Sequence, residues 1–255
     1  MAEAHFALSD RGQRRATNQD RALTKELRDG YTLLIVADGV GGAAGGETAS
    51  SETVAAIVTS LEQEWIGDPE RALLDAVTAA NQRVREIARA DPKIANMATT
   101  LVAALMAGRE AWIVSVGDSR AYLARDSTLE ALTEDDSWVA EQLRAGILSE
   151  AEAARSPYQN VVTKGIGVEE QVTPLVIGRT LQQGETLLLC SDGLYRVVND
   201  TDIARTLQNR TLRVAGEMLV KMANEAGGPD NISVALYRHA TAGNDDTTVR
   251  AVIGR

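Results

Sequence analysis

Polar and apolar residues along this chain fall into short runs whose periods switch between strand and helix. The clearest run is YTLLIVADGVGG at 31–42. Leu33 to Ala37 form a continuous apolar stretch, the pattern of a strand buried on both faces. The stretch stops at Asp38, an acid costly to bury without a partner. Gly39, Gly41 and Gly42 follow, so the backbone can turn sharply and come close to a ligand. Upstream, 4–9 predicts a first strand closed by Asp10-Arg11-Gly12, and the polar stretch from Arg14 to Asp20 has neither period and reads as a loop. Downstream, 44–64 predicts a helix whose apolar stripe is Ala49, Val54, Ala55, Ile57, Val58 and Leu61. Gly67-Asp68-Pro69 breaks the chain and supplies an N-cap and a first-turn proline for a second helix over 69–90.

Three strands are predicted in quick succession, at 98–107, 111–116 and 119–125. Their spacing leaves no room for crossover helices, so they pair antiparallel. Residues 137–155 return to a helical but unusually polar pattern, a small subdomain over one sheet edge. Strands at 171–178 and 185–190, helices near 200–208 and 211–226, and a last strand at 231–238 complete the pattern. Bunched strands with helix pairs between them predict an α+β fold, a four-layer αββα sandwich of two antiparallel sheets flanked by helix pairs, with a small helical flap. The domain is expected over 1–240, with the flap at about 134–162, and 241–255 reads as a polar tail or linker stub.

The strand ends carry the candidate chemistry. LLIVADG ends in Asp38, WIVSVGD in Asp118 and LLLCSDG in Asp192, while GGPDN sets Asp230 before the final strand and Asp20 lies in the early loop. If these strands are neighbours, the acids meet at one rim. Such a like-charged cluster is tolerable only around a cation, since close carboxylates repel and one takes up a proton. Oxygen ligands, with two histidines and no cysteine pair, select Mg or Mn over Zn.

Composition narrows the alternatives. A net charge of −10 over 255 residues, without a basic cluster, excludes sequence-independent nucleic-acid binding. The single Cys190 rules out an internal disulfide framework and fits a reducing compartment. No apolar run approaches the roughly 18 residues of a membrane span, and the first residues lack signal-peptide character, so the expectation is a cytoplasmic domain with no membrane contact.

Five motifs, Arg15-x-x-Asn18-Gln19-Asp20, Asp38-Gly39-Val40-Gly41-Gly42, Gly117-Asp118-Ser119-Arg120, Ser191-Asp192-Gly193 and Asp230-Asn231-Ile232-Ser233, occur in the order and rough spacing of one family. Through them the chain resembles the metal-dependent Ser/Thr protein phosphatases (PPM, type 2C), over about residues 5–238. The resemblance implies that Asp38 bridges two Mn or Mg ions, with the Gly39 carbonyl on one, and that Asp192 and Asp230 bind the second. It further implies that Asp20 acts through bound water, that Asp118 belongs to a third, weaker metal site, and that Arg15 grips the phosphate, for which a planar guanidinium is suited. Two cations about 3.5–4 Å apart lower the pKa of a bridging water, which then attacks the phosphoester in line. The implied partners are phosphoserine and phosphothreonine proteins, a Ser/Thr kinase among them, and the implied state is a monomer.

The chain departs from the family pattern in places. The flap has Thr133-Glu134-Asp135-Asp136-Ser137, Ser156-Pro157-Tyr158-Gln159-Asn160 and Lys164-Gly165-Ile166-Gly167 where bacterial members often read Thr-x-Asp-His-Ser, His-Pro-x-Arg-Asn and Arg-Ala-Leu-Gly. Gln19 stands where Glu is usual, Val40 where eukaryotic members carry a His proposed as general acid, and Arg196 where some members place a further Asp for the third metal. Two rival motifs fail on context. Gly39 to Ala44 fits GxGxxG/A, but no second strand follows the helix to make a βαβ unit. Cys190 and Arg196 have thiol-phosphatase spacing, but Asp192 in the intervening loop would repel phosphate, so Cys190 reads as a core thiol. The alternative of a different class is a catalytically silent phosphoprotein-binding module on the same scaffold, whose mark would be loss of a metal Asp.

Overall fold

The computed structural model describes residues 4–63, 65, 68–208 and 210–239, and the expected tail at 241–255 lies outside the described residues. In chain order, β1 (His5–Asp10), β2 (Arg21–Glu26), β3 (Tyr31–Ala37) and the two-residue β4 (Gly39–Val40) lead into α1 (Ala43–Glu62) and α2 (Pro69–Ala90). Then come β5 (Ala98–Thr99), β6 (Leu101–Ala107), β7 (Glu110–Val116), β8 (Arg120–Arg125) and β9 (Thr128–Ala131), followed by α3 (Trp138–Arg144) and α4 (Glu150–Ala153). The described chain closes with β10 (Leu175–Thr180), β11 (Thr186–Cys190), α5 (Asp192–Tyr195), α6 (Asp200–Leu207), α7 (Leu212–Glu225) and β12 (Ile232–Tyr237).

Two five-stranded antiparallel sheets are formed, β1-β12-β11-β8-β9 and β10-β7-β6-β3-β2. Strand alternation explains the layers. Leu33 and Ile35 of β3 point into a cluster with Ala49, Ile57, Leu73 and Val77 of α1 and α2. Their neighbours Leu34 and Val36 point the other way, against Leu187 and Leu189 of β11 and Ala235 of β12. On the far side of that sheet, Leu188, Val234 and Leu236 meet Leu212, Leu219 and Ala223 of α7. Three apolar layers thus separate helices, sheet, sheet and helices, the expected four-layer order. Each large aliphatic side chain buried this way contributes roughly 1.5–3 kcal/mol.

Several boundaries differ from the sequence expectation. The run at 98–107 splits at Thr100, because β5 pairs with β4 in a separate ribbon while β6 joins the large sheet. The single helix expected over 137–155 is two, interrupted where Gly146 takes φ +68°, a conformation costly for a residue with a Cβ. The strand expected at 171–178 lies at Leu175–Thr180. β2 and β9 were not anticipated; both are edge strands, and β2 is half-exposed, so neither carries a buried apolar run. The Asp68 cap holds: its side chain accepts from the Arg71 amide at 2.8 Å, with Pro69 in the first turn.

Candidate active site

Register brings the acids to one edge. In one sheet Cys190 at the end of β11 pairs with Arg120 at the start of β8 and with Val234 of β12. Asp118, Asp192 and Asp230, each one or two residues beyond those strands, therefore emerge side by side. In the other sheet Arg21 pairs with Ala37, which places Asp20 next to Asp38. A cleft of about 460 Å³ opens where the two edges meet, lined by Arg15, Asp38, Gly39, Asp118, Asp192 and Asp230 among others. Asp20, 1% exposed, lies beneath it.

Each acid is held by its own backbone or by neighbours. Both main-chain groups of Asp38 are clamped by β5 and the residue after it: Thr99 Oγ1 and the Thr100 amide donate to its carbonyl, each at 2.8 Å, and its amide donates to Thr100 Oγ1 at 3.1 Å. Gly39 follows because nothing larger fits; a Cβ there would lie 2.2 Å from the Gly46 carbonyl oxygen of α1. The Asp20 carboxylate accepts from Ser191 Oγ at 2.7 Å, and the same hydroxyl accepts from the Ser233 amide at 3.0 Å. Buried Asn231 ties the early loop down, accepting from the Gln19 amide and donating to the carbonyls of Arg11 and Thr17. Gln19 itself donates to the Gly42 carbonyl at 2.6 Å, bracing the glycine turn.

The electrostatics are those of negative charge brought together. Burial is the leading cause pushing Asp38 well above the ordinary carboxylate range, and the charges of Asp20, Asp192, Asp118 and Asp230 add to it. Burial likewise raises Asp20 to about 6 and Asp192 to about 7, the latter despite Arg196 beside it. Asp20 Oδ1 and Asp192 Oδ1 are both buried without a hydrogen-bond partner. Buried carboxylate oxygens left unpaired among other carboxylates are the donor set of a hard divalent cation, so these residues fit the Mn or Mg that the motifs imply. Among the described residues no three acids close around one point by themselves.

Two guanidiniums border the acids. Arg15 reaches Asp230 Oδ2 at 2.6 Å from the early loop, half-exposed, at the mouth of the cleft. Arg196 lies across Asp118 and Asp192. Arg14 is exposed, and Val40 is exposed at the cleft's lip with no proton to give. Cys190 is fully buried with its thiol pushed up by burial, as a core residue. His5 meets Thr24 and Glu26 on the sheet surface, away from the acids. Trp65 and Trp112 pack on Tyr31, and Trp138 on Tyr158. The sequence motifs include Ser191 and Asn231 but assign them no role, and they leave out Thr99 and Thr100. Ser191, Asn231 and the pair Thr99-Thr100 are each within two residues of a strand end, the signal that could have marked the threonines.

A rim of strand-end carboxylates with an arginine at its mouth, carried on two facing sheets, defines a class: metal-dependent hydrolases of phosphate esters. Residues 10–225 match the family model described as protein phosphatase 2C. The serine/threonine phosphatase stp of Listeria monocytogenes is 36% identical over 240 residues, covering 89% of this chain and 92% of that protein. The solved serine/threonine phosphatase of S. agalactiae superposes with a TM-score of 0.87 at 34% identity, over 92% of this chain and 99% of that one. The catalytic domain of PstP, solved in complex with two manganese ions, superposes with a TM-score of 0.81 at 35% identity, over 91% and 96%. The chain belongs to the protein phosphatase 2C family, and it is a metal-dependent protein serine/threonine phosphatase.

Proposed function

We propose that Asp38, Asp192 and Asp230, with the Gly39 carbonyl, hold two Mn or Mg ions, and that Asp20 supports them through water. The observation carrying this reading is the pair of unpartnered buried oxygens on Asp20 and Asp192 inside a cluster of five acids. When bound, such ions lower the pKa of a water between them and neutralise phosphoryl oxygens. Everything else falls to the chain. Arg15 leaves Asp230 to take two phosphate oxygens, an exchange its half-exposed position allows. Thr99 and Thr100 fix the Asp38 backbone, so that its carboxylate needs no reorganisation when substrate arrives. With Val40 at the lip, no side chain there protonates the leaving Ser or Thr oxygen, and that proton comes from solvent in the cleft.

The physiological substrates are phosphoserine and phosphothreonine proteins, and the reaction opposes a Ser/Thr kinase. No helix among the described residues is long and apolar enough to cross a membrane. The lone buried thiol agrees with action in a reducing compartment such as the cytoplasm. Turnover of p-nitrophenyl phosphate and of a phosphothreonine peptide, with Mn, with Mg and with chelator, tests the reading. Activity restored by either metal supports it. No turnover with both would favour a silent phosphoprotein-binding module.

A further inference from the structure

Arg196 makes more contacts than a surface arginine needs. It follows α5, and its side chain is 28% exposed. Nη2 lies 3.1 Å from Asp118 Oδ2, and Nε lies 3.0 Å from Asp192 Oδ2. The other side of the same guanidinium faces the helical excursion between β9 and β10. There Nη2 donates to the Gln159 carbonyl at 3.2 Å and Nη1 donates to Asn160 Oδ1. Asn160 and Val162 form one wall of the catalytic cleft. The carboxylates it pairs with are well enclosed, their side chains 5% and 13% exposed.

Neighbouring groups keep Arg196 in place. Tyr195 donates its hydroxyl to the Asp118 carbonyl at 2.9 Å, and Arg120 stacks on the Tyr195 ring at 3.8 Å from its centroid. Arg120 is in turn held by Asp135 through two bonds of 2.8 Å each. Asp135 begins the excursion, which is tied at its base by the Thr163 amide donating to the Asp136 carbonyl. The excursion is thus fastened at its start by Arg120 and near its end by Arg196.

We propose that Arg196 is an internal, non-exchangeable cation of this site. It occupies the space between Asp118 and Asp192 that a further divalent ion would need, and it latches residues 159–160 over the cleft. A guanidinium keeps its charge at any physiological pH. A metal ion entering between these two acids would have to expel it and leave two cations against each other. The chain therefore gathers two ions at Asp38, Asp192 and Asp230 and fills the Asp118 position with its own side chain. Arg196 is a positioning residue: it sets the cleft wall through Asn160 and the net charge at Asp118, and it touches no reacting atom.

The inference rests on the two-ion reading above for its metal half, and on hydrogen bonds alone for its latch half. Equilibrium dialysis against Mn would count ions on wild type, Arg196→Met, Arg196→Lys and Asn160→Ala, and amide exchange would follow residues 158–162 in chelator. Wild type is expected to bind two ions, Arg196→Met three and Arg196→Lys two. Exchange at 158–162 should quicken at least about tenfold in Arg196→Met. It should quicken in Asn160→Ala too, with no change in that variant's ion count. Three ions on wild type, or an unchanged count and unchanged exchange in Arg196→Met, would overturn the proposal. Wild type binding no ion would instead overturn the two-ion reading, and the exchange measurement, which uses no metal, would still decide the latch. Should Arg196→Met not fold by far-UV circular dichroism, a third ion on Arg196→Lys or unchanged exchange in Asn160→Ala would overturn it.

Discussion

The Ser191→Ala substitution should cost far more than a buried hydroxyl usually does, and the cost should depend on pH. Ser191 is fully buried. Its Oγ donates to Asp20 Oδ2 at 2.7 Å and accepts from the Ser233 amide at 3.0 Å. Asp20 Oδ1 already has no partner, so losing Ser191 strips the carboxylate of a charge-assisted bond and strands a strand amide in the same step. A bond to a charged group is worth about 1.5–3 kcal/mol and a stranded buried donor costs about 1–3 kcal/mol. Because the two effects share one site they do not add fully, and about 2–4 kcal/mol of lost stability is expected.

The sign of the pH dependence follows from which form of Asp20 the hydroxyl favours. Ser191 stabilises the carboxylate, opposing the burial that lifts Asp20 to about 6. Its removal therefore costs most where Asp20 is ionised, and the loss should grow between about pH 5 and about pH 8. Urea unfolding in chelator, at several pH values, reads this directly as a shift in midpoint. A loss under about 0.5 kcal/mol, the range of an ordinary surface substitution, would refute the reasoning. So would a loss of the expected size that stays flat across that interval, for then Asp20 is not what Ser191 serves.

The other expectations can be checked alongside. Asp38→Ala and Asp192→Ala should each lower kcat on p-nitrophenyl phosphate by about 10²–10⁴-fold, several kcal/mol of transition-state charge stabilisation, with an unchanged far-UV spectrum; full turnover in either would remove it from the metal assignment. Arg15→Ala should raise KM about tenfold or more with a smaller effect on kcat, and Arg15→Lys should recover only part of it; an unchanged KM would end the phosphate role. In chelator, wild-type stability should fall as pH rises from about 4 to about 7. The raised carboxyls of Asp20 and Asp192 hold protons more tightly folded than unfolded, so their penalty is absent below the usual value of 3.8 and complete above about 7. Saturating Mn should flatten that slope, and a slope unaffected by Mn would place the ions elsewhere. On the two-ion reading, Gly39→Ala should reduce Mn affinity at least about tenfold, because its methyl would push the glycine turn off α1; wild-type affinity in calorimetry would count against a close-packed turn.

How far the sequence announced this site depends on which atoms do the work. Asp38, Asp118, Asp192 and Asp230 were legible because each ends or begins a strand whose apolar run is continuous, and an acid there contradicts its surroundings. Their convergence was not legible from spacing. It rests on pairings such as Cys190 with Arg120 and Val234, between residues 70 and 44 positions apart in the chain. The edge strands β2 and β9 escaped for a related reason, since a half-exposed strand carries no buried run to announce it. The supporting hydroxyls were harder still. Ser191 and Thr100 look like any small polar residue near a turn; Ser191 meets its carboxylate only when Asp20 arrives from the other sheet, and Thr100 meets the Asp38 backbone only through the pairing of β6 with β3. Arg196 shows the limit most clearly. Read along the chain it is a departure from the family pattern and half of a rejected Cys-x5-Arg spacing, with no contact assigned to it. In the folded molecule it joins Asp192, four positions back at helical spacing, to an acid at 118 and a carbonyl at 159, which no helical or strand period relates to it. Periodicity therefore locates the acids that make the site charged, whereas the groups that make that charge tolerable are set by tertiary register.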